Sequence, residues 1–104
     1  MALTPNILAD GQLSATPATT MFDPSAITYL THIVFVNTSG ADVTVNLYVK
    51  NDTSTARRQL PKDMTFRAGE EFYWGGRFSL AAADLVQGDA STGSVVDYTV
   101  YGAS

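Results

Sequence analysis

The chain has 104 residues, with 45% hydrophobic and 15% charged side chains and a formal net charge of −4. This length suits one domain that buries about 65% of its unfolded surface, and the composition excludes a disordered chain. The acidic balance argues against non-specific nucleic-acid binding, and the absence of cysteine excludes disulfides and thiolate metal sites.

The opening MALTPNILADGQL has neither a basic region nor a long apolar one, so no signal peptide is expected. No apolar run approaches the roughly 20 residues of a membrane helix. Residues 1–12 have no clear period and are interrupted by Pro5, which predicts an extended N-terminal arm. Leu3, Ile7 and Leu8 give that arm apolar side chains with which to lie on a neighbour. Residues 13–104 form the folded domain in this reading.

Beyond the arm the pattern is β. AITYLTHIVFVN (26–37) is rich in β-branched and aromatic residues. Its Ile33-Val34-Phe35-Val36 is apolar on both faces, which predicts a strand covered on both sides. ADVTVNLYVK (41–50) alternates, with Val43, Val45, Leu47 and Val49 on one face and Thr44, Asn46, Tyr48 and Lys50 on the other. NTSGAD between them supplies turn residues, so the two runs are expected to form a hairpin. A polar connection, NDTSTARRQLPKD, follows, with a short strand near Arg57–Leu60. In MTFRAGEEFYW, Met64, Phe66, Phe72 and Trp74 share a parity, Tyr73 falls outside, and Ala68-Gly69 marks a turn. ADLVQGDAS (83–91) and SVVDYTVYG (94–102) are expected to pair through Ser91-Thr92-Gly93. All four prolines stand between runs. The result is an all-β, single-domain β-sandwich or jelly roll of seven or eight strands, with immunoglobulin-like connectivity equally compatible with the pattern.

Candidate chemistry is sparse. His32, the only histidine, is mid-strand and has no nucleophile-elbow signature near it. Glu70, Glu71, Asp84 and Asp89 lack the alternate spacing of a calcium loop. Gly75-Gly76 lacks the Lys and helix of a phosphate loop. No cofactor, metal site or catalytic residue is expected, and an enzyme is the least favoured class. Phe72-Tyr73-Trp74 cannot form one stacking platform, because consecutive strand residues point to opposite faces.

The positive charge is uneven. Every Lys and Arg lies between Lys50 and Arg77. One reading pairs Arg67 with Glu70 or Glu71 across the turn. The other sets Arg57, Arg58, Lys62 and Arg67 against an acidic partner surface, where the arginine fork binds carboxylates bidentately.

The order VNTSGADVTVNLYVK, ARRQLPKDMTFRAGEEF, AADLVQGDAS, VVDYTVYG closely resembles small virion proteins of tailed bacteriophages, as does the opening LTPNILADGQL. The resemblance spans nearly the whole chain. It departs at EEFYWGGRFSL, which is bulkier than the usual Leu-rich, aromatic-poor stretch. It implies a small β-sandwich or jelly roll serving as a capsid cement or decoration protein, or as a tail- or neck-associated adaptor. It further implies a homotrimer that binds the major capsid protein on the capsid exterior after synthesis in the bacterial cytoplasm, with no direct contact to nucleic acid or membrane. A carbohydrate-binding module using Tyr73, Trp74 or Tyr101 is the other alternative.

Overall fold

The computed structural model describes residues 5–15, 19–51 and 55–103, and at 76–78 the backbone alone. The strands are β1 (Pro5–Gln12), β2 (Thr19–Phe22), β3 (Thr28–Asn37), β4 (Val43–Lys50), β5 (Arg57–Arg58), β6 (Met64–Phe66), β7 (Glu71–Leu80), β8 (Leu85–Ala90) and β9 (Val96–Ala103). No helix occurs among the described residues.

Two antiparallel sheets pack face to face. One has the order β1-β9-β3-β7; the other runs β2-β8-β4-β5, with β6 also paired to β4. β5 and β6 lie along the same partner, opposite Tyr48–Val49 and Val43–Val45 respectively. They act as one strand interrupted by Gln59–Asp63, where Leu60 is buried and Asp63 takes a left-handed φ of 53°. Counted so, there are eight strands among the described residues, and the chain changes sheet at nearly every step. This is jelly-roll connectivity, which resolves the choice that periodicity leaves open.

Two expected hairpins are therefore not hairpins. β3 and β4 lie in different sheets, as do β8 and β9. NTSGAD is a corner that carries the chain across the sandwich. Asn37, fully buried, organises it: Nδ2 donates to the carbonyls of Ala41 (2.8 Å), Phe66 (3.1 Å) and Arg67 (3.0 Å). Its Oδ1 accepts from the Ser39 amide (3.0 Å) and hydroxyl (2.8 Å). At the other end, Ser91 takes the chain out of β8 by bonding across to Thr44, with its hydroxyl accepting from the Thr44 amide at 3.0 Å. Gly88, Asp89 and Ala90 thus form the end of β8. Gly88 faces inward, where a Cβ would stand 2.9 Å from the Met21 sulfur.

The expected parities hold. Val43, Val45 and Leu47 are buried with Leu30, Ile33, Phe35, Val96 and Val100 between the sheets. Phe66 packs edge-on to Phe35 (5.7 Å between centroids) and tilted on Phe72 (5.2 Å). Each such side chain contributes about 1.5–3 kcal/mol of apolar burial. Met64, Phe72 and Trp74 pack on the edge of this core, and Tyr73 is 61% exposed. The expectation that β3 is covered on both sides is corrected. Ile33 and Phe35 are buried, but Val34 and Val36 lie half-buried on the outer face. They are flanked there in register by Thr99 and Tyr73, and by Asp97 and Glu71.

Candidate interaction surfaces

The basic segment divides by strand parity. Arg58 is paired with Tyr48 and lies on the outer face of its sheet, with its guanidinium 5.1 Å from the Tyr48 ring centroid. Its Nη1 donates to Asn46 Oδ1 at 2.6 Å. Asn46 is buried, and all four of its hydrogen-bonding positions are occupied. Nδ2 donates to Asp63 Oδ1 (3.1 Å) and Asp89 Oδ1 (2.8 Å), while Oδ1 accepts from Arg58 and from the Asp63 amide (2.9 Å). This hub ties the interrupted strand to β4 and β8, and it gives Arg58 a partner within the chain. Asp63 and Asp89 become neighbours of Asn46 only through sheet pairing. Sequence reasoning missed Asn46 altogether; its one signal was a β-unfavourable Asn in an alternating strand.

Arg57, Lys62 and Arg67 are exposed. Arg67 is fixed through its backbone: its amide donates to Glu70 Oε1 at 2.8 Å, and Gly69 takes the left-handed φ of 71° that closes the turn. The turn expected at Ala68-Gly69 is present, and the Arg67–Glu70 link runs through the main chain. Arg57, opposite Val49, and Lys62 are exposed on the side of the sandwich formed by β5, β6 and β7.

Sheet order turns the clustering of charge along the chain into a spatial separation. Residues 42–77 hold all six cations and five acids, Asp42, Asp52, Asp63, Glu70 and Glu71. The rest of the chain holds the other five acids, Asp10, Asp23, Asp84, Asp89 and Asp97, and no cation. The strands β1, β2, β3, β8 and β9 therefore carry no Lys or Arg, and β1 and β2 form the side opposite β5 and β7. Asp10 acts on Tyr98: burial, and secondarily the Asp10 charge, push the phenol above its ordinary value.

The expected arm is, over Pro5–Gln12, the edge strand β1, paired along β9 from Pro5–Ala103 to Gln12–Asp97. Leu3 lies outside the described residues. Leu8 packs half-buried against the core, while Ile7 is 59% exposed. Pro5, a register shift between Ile7 and Ala9, and Asp10 blunt this edge against further strand addition. Beside it lie two open grooves of about 460 and 560 Å3 that share Asn6 and Ile7. The first runs under the β2–β3 connection, including Asp23 and Ile27. The second has Ala103 between Pro5 and Tyr29. Ile27 is 68% exposed, so two of the three large hydrophobic residues exposed among the described residues stand at this one corner.

The His32 ring stacks on Tyr101, with centroids 4.5 Å apart and planes at 14°, and Thr31 Oγ1 is 3.2 Å from its Nδ1. Tyr101 and Tyr73 share the outer face but sit two strands apart, and Trp74 has the opposite parity. The structure does not bring these three together into one platform. Among the described residues, no group of three His, Asp or Glu side chains converges to hold a metal ion. No described helix is long and apolar enough to cross a membrane.

What the geometry defines is a jelly-roll domain with a charge-separated surface. No protein-family model matches the chain, and no curated protein matches it. Among solved structures it is similar to a chain in the structure of the infectious bursal disease virus Gx strain, at 14% identity and a TM-score of 0.40. That likeness covers 98% of this chain and 30% of the other.

Proposed function

We propose that this chain is a structural virion protein of a tailed bacteriophage: a cement or decoration protein that attaches as a homotrimer to the major capsid protein on the capsid exterior. In this reading it is not an enzyme, and it makes no direct contact with nucleic acid or membrane. The observation that carries the reading is the surface: a cation-free acidic half and an opposite side that presents Arg57 and Lys62, which fits docking onto protein surfaces. The family resemblance supports it differently. The motifs that carry that resemblance are the joints of the fold. Asn37 of VNTSG makes the corner, Asn46 of VNLYV makes the hub, and Gly69-Glu70 of AGE closes the turn. They account for why the chain folds as it does and leave the docking surface to the exposed residues between them.

The mechanism follows from linkage. A protein that binds the assembled shell, and not free subunits, shifts the assembly equilibrium toward the shell, by about 2.7 kcal/mol per site at a concentration 100 times Kd. Three linked copies multiply weak individual contacts. Cosedimentation with emptied shells, against unassembled capsid protein, tests this. The expected result is saturable binding to shells only, weakened by Arg57→Glu. Equal binding to free subunits, or none to shells, would overturn it.

A further inference from the structure

We propose that copies of this chain associate head to tail, the apolar, acid-rimmed corner around Ile7 and Ile27 of one copy docking against the edge that presents Arg57 and Lys62 on the next. The proposal rests on the self-association in the functional reading above, and not on a virion location. Three observations meet at the corner. Ile7 and Ile27 are 59% and 68% exposed, whereas the rest of the aliphatic set is largely withdrawn. Two grooves converge on Asn6 and Ile7, so this is a contoured surface rather than two stray side chains. Its ionic rim is Asp23, with Asp10 further along β1, and no Lys or Arg occurs on any strand of that half. Apolar clusters of this kind, rimmed by polar groups, mark contact sites.

The occupant is argued from charge. A surface with acids and no cation is complemented by one that carries exposed cations, and this chain has such a surface on its opposite side. Arg58 is engaged by Asn46 and Tyr48, Arg57 and Lys62 are exposed at this edge, and Arg67 is exposed beyond them at the turn beside Glu70. The corner lies at the β1 and β2 edges, and the cations lie at the β5 edge and the loop after it. The two patches are different surfaces on opposite sides, so the contact is heterologous. Repeating it must close a ring or propagate a filament, and it cannot stop at a two-fold dimer.

The test uses the purified chain alone, by sedimentation velocity up to about 200 µM, at low salt and at about 500 mM salt. The wild type is expected to assemble beyond a dimer at low salt, and to do so at least about tenfold more weakly at high salt. One variant alters the corner (Ile7→Gln with Ile27→Gln), and another alters the edge (Arg57→Glu with Lys62→Glu). All four positions are exposed, and circular dichroism checks the fold. Each variant alone should be monomeric. Mixed, they should form a 1:1 dimer and nothing larger, because one intact corner meets one intact edge. A monomeric wild type, variants that assemble normally, or a mixture that fails to dimerise would each overturn the proposal. A monomeric wild type would assign the corner to a different protein. A monomeric wild type would also remove the homotrimer from the functional reading, whereas binding to shells as such is read on the wild type by the cosedimentation experiment.

Discussion

Replacing Asn37 with Ala tests the corner on which the jelly-roll connectivity turns. The substitution removes three donor contacts, to the carbonyls of Ala41, Phe66 and Arg67, and two acceptor contacts from Ser39. Phe66 is 0% exposed, so its carbonyl has no route to water once the amide is gone. An orphaned buried acceptor costs about 1–3 kcal/mol. Ala41 and Arg67 are exposed, and their carbonyls can turn to solvent, so their bonds and those of Ser39 add about 1 kcal/mol together. The sum is about 2–4 kcal/mol, a large share of the roughly 5–15 kcal/mol of a typical domain. In a domain of this size that lowers Tm by roughly 10–25 °C. Asn37→Asp keeps the acceptor half and turns a carboxylate toward three carbonyls, so it should cost at least as much as Ala. Urea unfolding followed by circular dichroism measures both. A loss below about 1 kcal/mol for Asn37→Ala, or a milder effect for Asp than for Ala, would refute the account of the corner.

Three further outcomes follow from the same geometry. Arg58→Ala should cost about 0.5–1.5 kcal/mol by removing one of the two donors to Asn46 Oδ1 and uncovering Tyr48, whereas Arg57→Ala should stay within about 0.5 kcal/mol; equal effects in urea unfolding would contradict the division by parity. Gly102→Ala should fold poorly or lose more than about 2 kcal/mol, because a Cβ there collides with the Tyr29 backbone oxygen and crowds Leu8; a near-neutral urea midpoint would mean that β9 shifts freely. Tyr98 has a raised folded pKa, so its contribution is fully present below the unfolded value of 10.0 and is lost as pH rises through the folded value. Ultraviolet titration should show one tyrosine ionising late, and Asp10→Asn should bring it earlier; no change would remove Asp10 as a cause.

Much of the fold was legible in the residues because alternation reports which side chains face inward. Val43, Val45 and Leu47 were placed correctly on that ground alone, and so were Phe66 and Tyr73. Pairing was not legible. NTSGAD has the composition of a hairpin turn, and an inward-facing strand looks the same whether its sequence neighbour lies beside it or across the core. The deciding contact, Asn37 to Phe66, spans 29 residues and leaves no local trace. The same limit hid the Asn46 hub, whose Asp63 and Asp89 partners are 17 and 43 residues away. Apolarity on both faces of Ile33–Val36 was read as double coverage, yet a central strand of a two-layer sandwich can leave Val34 and Val36 on an open face. The concentration of cations was visible at once, but the separation of Arg58, docked on the Tyr48 face, from Arg57 on the Val49 face required the register of β4 with β5.

The most direct test of the central claim is the copy number of this chain per purified virion, measured against the major capsid protein by quantitative mass spectrometry. A shell-covering cement protein predicts a stoichiometry near that of the capsid protein. A few copies per particle would contradict it in favour of a tail or neck position, and absence from the particle would contradict the virion reading itself.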